Sequence, residues 1–284
     1  MSARRVTQII AARRTQDGAG VRLTRTLGSA PGLQCDPFLL LDEFSSDNPD
    51  DYIAGFPDHP HRGFETVTYM LDGIMRHTDH MGHVSDLKPG DVQWMRAGRG
   101  VIHSEMPMQI EGRMRGFQLW INLPARLKMT PADYREIAAD TIPTATIDGA
   151  RIRVIAGTLA LAEGHVHGPI NRDGEHALDP TYFDIQLPAD AELDLPLPGE
   201  RRAFCHVFEG ELSIETEHVT APSTALLGDG DHVRLRAGDA GARALLLAAK
   251  AIGEPVVQYG PFVMNTRAEI EQAIADYRNG TLTG

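Results

Sequence analysis

Between Phe56 and Leu123 no apolar run lasts long before a turn residue stops it. FETVTYML (64–71), Val92-Gln93-Trp94-Met95 and RGFQLWINL (115–123) are separated by Asp72-Gly73, Gly82, Lys88-Pro89-Gly90-Asp91 and Ala97-Gly98-Arg99-Gly100. Short β-branched and aromatic runs at this spacing predict an all-β sandwich or barrel, and Asp72-Gly73 predicts a hairpin turn. The pattern returns from about Arg151 to Ala249, in Tyr182–Leu187, Ala203–Phe208, Glu211–Ile214 and Ala244–Ala248. Residues 124–150 read as a connector, in which Thr130-Pro131-Ala132-Asp133 predicts a helix start. Near the end, Thr266 and Glu269 form a capping box, and Ile270, Ala273, Ile274 and Tyr277 share one helical face. The order is β-rich, connector, β-rich, helix: two β-barrels in tandem, which 284 residues can fill.

Charge and cysteine content narrow the function. A formal net charge of −12, with Arg dispersed among acids, speaks against direct nucleic-acid binding. Cys35 and Cys205 are the two cysteines, without CxxC spacing, so a reducing cytoplasm is expected. No stretch approaches the ~18 apolar residues of a membrane span, and Arg4-Arg5 and Arg13-Arg14 lack the apolar run of an export signal.

Two short stretches carry the chemistry: His59-Pro60-His61 and His103-Ser104-Glu105. Side chains at i and i+2 of a strand share one face, so two such strands side by side aim three imidazoles and a carboxylate at one point. That donor set holds a divalent transition metal and leaves room for a substrate. Pro57 and Pro60 place the first pair at an edge or strand entry. Glu65 is the competing carboxylate. On a straight strand it lies roughly 13 Å beyond His61, but a bend at Gly63 would shorten that, whereas Glu105 needs no bend to accompany His103. His77, His80 and His83 are interrupted by Asp79 and Gly82 and suit a supporting role. His165 and His167 form a second HxH that no later His-x-Glu pair answers, and His176, His218 and His232 read as solvated surface.

GFPDHPHRGFETVTYMLDG (55–73) and GDVQWMRAGRGVIHSEMP (90–107) resemble the two signature stretches of the pirin family of the cupin superfamily. Residues 36–40, 118–124 and EPVVQYGPFVMNT (254–266) match as well, so the resemblance spans nearly the whole chain. It implies a bicupin of jelly-roll type: an N-terminal barrel with the metal site (1–130), then a C-terminal barrel without metal plus the terminal helix (131–284). Carried over by position, the ligands are His59, His61, His103 and Glu105, which selects Glu105 over Glu65.

The resemblance further implies a flavonol 2,3-dioxygenase, with quercetin as model substrate, dioxygen as co-substrate and one metal, expected as Fe(II), although Mn, Ni, Cu and Zn accept the same ligands. Glu105 is the expected catalytic base for the flavonol 3-hydroxyl. The ring then opens with release of carbon monoxide. A second class of function is a metal-dependent redox sensor acting through a protein partner, which the acidic charge favours over contact with DNA. The chain is expected to be a cytoplasmic monomer.

Overall fold

Phe38–Ser46, Phe64–Asp72 and Met114–Asn122 are strands buried along nearly their whole length, with apolar residues on both faces and a few buried charges, Asp42, Glu43, Glu65 and Arg115, among them. In the computed structural model, which describes residues 2–171 and 176–284, they form the middle of a seven-stranded antiparallel sheet. Its order is Asp133–Ile137, Val92–Arg96, Phe64–Asp72, Met114–Asn122, Phe38–Ser46, Val21–Arg25, Arg13–Asp17. A four-stranded sheet, ordered Phe56–His61, Val101–Pro107, Met75–Asp79, Val84–Leu87, packs against it. Val21, Leu23, Phe44, Met70 and Met114 from the first sheet meet Met75 and Leu87 from the second in one apolar cluster.

Two glycines carry the chain between these sheets. Gly63 (φ +91°) lies between His61 on the small sheet and Phe64 on the large one, and a Cβ there would collide with the Val263 carbonyl. Gly73 (φ +81°) makes the opposite crossing. The strand after it pairs with Val84–Leu87 and Val101–Pro107 rather than folding back on Phe64–Asp72. Asp72-Gly73 is thus a turn between sheets, not the expected hairpin.

The connector also differs from expectation. Thr130 donates from both its amide and its hydroxyl to the Leu127 carbonyl, closing the short helix Ala125–Lys128 instead of starting a new one. The residues after Pro131 then find a ladder partner: Asp133–Ile137 pairs with Val92–Arg96, and Tyr134 packs on Met95, Ala97 and Val101. Tertiary pairing overrides the local start signal.

The second β-rich unit is a nine-stranded sheet. Its path runs Val6–Ala11, Ser223–Leu227, Arg201–Ile214, His232–Lys250, Thr181–Leu187, Ala150–Ala156, Thr144–Ile147. Glu192–Pro196 pairs with the fourth of these and Glu217–Thr220 with the third. Its interior is filled by aliphatic residues, among them Ile152, Ile185, Val207, Leu235 and Leu246, all fully buried.

The chain therefore divides into two compact units that exchange segments. One comprises Met1–Ala12, Ser29–Pro37 and Asp140–Ala251; the other Arg13–Gly28, Phe38–Ala139 and Ile252–Gly284. This partition differs from a single cut between 130 and 131. Val6–Ala11 joins the later strands by pairing with Ser223–Leu227. The terminal helix Arg267–Arg278 belongs with the earlier strands, because Ile270 and Ala273 bury against Phe262, Met264 and Leu282 beside Ile102. Its capping box is formed, with Thr266 accepting from the Glu269 amide. Tyr277, expected on the buried face, is half exposed at the edge of Phe262.

The tail is fastened beside His61. The buried Arg62 guanidinium bonds Asp276 (2.6 Å) and the carbonyls of Leu282 (3.2 Å) and Arg99. The Lys128 ammonium meets three acceptors, Gly63 O (2.7 Å), Asn122 Oδ1 (2.5 Å) and Val263 O (2.9 Å), one for each N–H. Among the described residues no helix is long and apolar enough to cross a membrane.

Candidate metal centre

Phe56–His61 is an edge strand, which is why Pro57 and Pro60 are tolerated in it. Across the ladder His59 stands directly opposite His103. A bulge follows, so that Glu105 pairs with Phe56. On its other side His103 pairs with Asp79 and Glu105 with His77. Val101, His103 and Glu105 are buried in alternation with Ile102, Ser104 and Met106, as the period of a strand demands. One ring nitrogen from each of His59, His61 and His103 lies within 4.8 Å of the others.

Each imidazole has its second nitrogen engaged elsewhere. His59 Nδ1 donates to the Pro57 carbonyl at 2.8 Å. His61 makes a backbone hydrogen bond with Pro261, which has no N–H, so the partner is its carbonyl. His103 Nδ1 faces His77 Nδ1 at 3.4 Å. What remains is His61 Nδ1 and His103 Nε2, both buried and without a hydrogen-bond partner among the described residues. A buried polar atom left so costs about 1–3 kcal/mol, a cost that a metal bond removes. Burial, and after it the neighbouring imidazoles, push His61 and His103 well below the ordinary histidine range, so both rings are neutral and their lone pairs available. These donors fit a divalent transition metal.

Glu105 is buried and lines the same cavity as His59 and His61, but it stands outside the close triad of rings. The Thr68 hydroxyl lies 2.9 Å from its Oε1, and Gln118 Nε2 donates to Oε2 at 3.1 Å. Glu65 is drawn away by Trp94 Nε1 (3.0 Å) and Arg96 Nε (3.1 Å) on the large sheet. Of the remaining histidines, His77 is buried behind His103, and His83 bonds Asp79 at 2.8 Å. Burial, the largest single influence, raises the Asp79 carboxyl, but hydrogen bonds from the His83 ring, its backbone and His77 together outweigh it and hold Asp79 below the usual carboxylate range. His165 and His167 are exposed on the hairpin of Thr158–Leu161 and Gly164–His167.

His59 and His61 open into a cavity of about 590 Å³. Leu23, Leu40, Phe44, Phe56, Met75 and Trp120 give it apolar walls, and Arg25 forms a bidentate pair with Asp42 at one side (2.6 Å for both bonds). That size and lining suit a small, flat, largely apolar molecule with a few polar groups. Thr68, Gln118, Asp79 and Pro261 escaped the sequence reading. His77-Thr78-Asp79 has the same i, i+2 form as the ligand pairs and was the one available signal.

Known proteins resemble this chain in sequence and fold. The Pirin family model matches residues 20–121, and the model for the Pirin C-terminal cupin domain matches residues 182–283. A Pseudomonas aeruginosa protein named "Putative quercetin 2,3-dioxygenase" is 53% identical over 94% of this chain and 93% of its own. A pirin-like protein of Caulobacter vibrioides is 50% identical over 99% of both chains. Among solved structures, quercetin 2,3-dioxygenase from Acinetobacter baumannii superposes with a TM-score of 0.89 at 32% identity, covering 99% of each chain.

Proposed function

This chain belongs to the pirin family, and we propose that it is a metal-dependent dioxygenase acting on flavonols such as quercetin. One observation carries the reading. Three imidazoles, two of them with buried and otherwise unpartnered nitrogens, converge beside a mostly apolar cavity large enough for a three-ring aromatic. His59, His61 and His103 would hold the ion, with Glu105 as the fourth ligand. Bound there, Fe(II) would supply Lewis-acid activation of the substrate hydroxyl and redox access to dioxygen.

The chain's own groups account for the remainder. Phe44, Phe56, Met75 and Trp120 bury the flat rings and keep bulk water from the reacting face. Glu105, positioned by Thr68 and Gln118, takes the proton of the flavonol 3-hydroxyl. A regulator sensing only the oxidation state of its metal has no need of such a cavity, which favours catalysis over the sensor reading.

The test is aerobic quercetin turnover by the Fe(II)-loaded chain, with carbon monoxide as the diagnostic product. Turnover is expected to need the metal and to vanish in His61→Ala. A loaded wild-type chain that leaves quercetin intact overturns the activity, and undiminished turnover in His61→Ala overturns the site.

A further inference from the structure

An unbroken polar line stands behind His103. His103 Nδ1 lies 3.4 Å from His77 Nδ1, and His77 Nε2 lies 3.3 Å from Asp79 Oδ2. Asp79 Oδ2 also receives His83 Nδ1 at 2.8 Å, while its Oδ1 accepts the backbone amides of Met81 (2.9 Å) and His83 (3.1 Å). The side chains of His77 and Asp79 are wholly buried, and Tyr134 stacks on the rings of both His77 and His83.

We propose that Asp79, acting through His77, is the positioning residue that fixes the tautomer of His103 and so turns its Nε2 lone pair toward the metal. The proposal rests on the metal-centre reading above. An ionised carboxylate has no proton to give, so His77 carries its proton on Nε2 and donates it to Asp79. With the ring's proton on Nε2, Nδ1 is left to accept. It receives Gln93 Nε2 at 3.1 Å and, at 3.4 Å, His103 Nδ1. His103 is therefore protonated on Nδ1, and the nitrogen left with a free lone pair is the buried, unpartnered Nε2.

His59 and His61 achieve the same end without such a chain. Their partners are the carbonyls of Pro57 and Pro261, which can only accept. Of the three rings, His103 alone owes its tautomer to side chains, so it alone can be reversed by one distant substitution.

Asp79→Asn is that substitution. Two backbone amides already point at the Oδ1 position, so the Asn oxygen takes that place. Its NH2 then faces His77 Nε2 and His83 Nδ1 and donates where the carboxylate accepted. His77 is driven to the Nδ1–H form, and His103 must move its proton to Nε2.

The experiment pairs Co(II) affinity, measured by chelator competition, with the ¹⁵N shifts of His103 in the metal-free chain. We expect Nδ1–H in the wild type, Nε2–H in Asp79→Asn, and an affinity loss of about 10- to 100-fold. An affinity unchanged within about twofold in the folded variant overturns the proposal, as does a wild-type His103 protonated on Nε2. The wild-type shifts decide the matter even if the variant does not fold. A wild-type chain that takes up no Co(II) would refute the metal centre itself, while the nitrogen shifts still report the tautomer.

Discussion

In the unit built on Asp140–Ala251, the long strands turn Ala203, Cys205, Val207, Ala244, Leu246 and Ala248 inward, each fully buried. In the other unit the strand Val101–Pro107 turns Val101, His103 and Glu105 inward. Both are sheets of cupin type with the same two-residue period. The first interior closes on itself by contact between methyl and methylene groups, and burial pushes even the Cys205 thiol up to about 12. The second interior buries imidazoles and a carboxylate, and these draw in polar partners. Thr68 and Gln118 attend Glu105, the Pro261 carbonyl attends His61, and His77 attends His103. An aliphatic interior is a local solution, whereas a polar one recruits residues from across its unit.

The comparison can be broken most decisively at His61. His61→Ala is expected to lower Co(II) affinity by at least about 100-fold, more than any loss from a supporting residue. It should leave the far-ultraviolet circular dichroism intact. Retained affinity would show that the polar interior is not a metal centre.

Two substitutions come next in size. Leu246→Ala in the aliphatic unit should cost about 2–5 kcal/mol in denaturant unfolding and leave Co(II) affinity per folded molecule unchanged. A fall in affinity would mean that the two interiors are not independent. Gly63→Ala should cost at least about 2 kcal/mol, since positive φ and the collision with the Val263 carbonyl act together. Gly82→Ala is its control: φ is +91° there too, but the space is open, and the loss should stay near about 1 kcal/mol. Equal losses at the two sites would assign the whole effect to the backbone angle.

The smallest effect is acid sensitivity at Asp276. Its hydrogen bond from Arg62 holds its folded pKa below the ordinary carboxylate value, so between those two values the unfolded chain binds more protons. The resulting stability is present above the ordinary carboxylate pKa and is lost as pH falls through the lowered folded value. Partial exposure keeps it under about 1 kcal/mol. Thermal unfolding followed from about pH 6 to about pH 2 should show Asp276→Asn lacking that part of the acid decline. An unchanged acid limb would remove the pair from the account.

These contrasts also mark what the sequence could tell. The pairs His59/His61 and His103/Glu105 were legible because strand parity is a property of neighbours, and Pro57 and Pro60 announced an edge strand. The capping box of Thr266 and Glu269 was legible for the same reason. Thr130 misled because its hydroxyl had a nearer use, on Leu127 O. The turn at Asp72-Gly73 was visible, but not which sheet the chain would enter after it. Asp79 was visible only through its i, i+2 spacing from His77, which does not tell that His77 will meet His103. Pro261 was out of reach, because it meets a histidine distant in sequence and no local spacing encodes a partner that the fold alone brings close.

The fastening of the tail beside His61 has a consequence for the order of synthesis. A ribosome releases His59, His61 and His103 long before it makes Pro261, Val263 and Asp276. During that interval the nascent chain holds the three imidazoles, while the Pro261 carbonyl that engages His61, the Asp276 and Leu282 acceptors for Arg62 and the Val263 acceptor for Lys128 do not yet exist. Metal capture is thereby expected to mature late, as a step after translation, and a prematurely terminated chain should carry the binding motif yet fail to retain the ion.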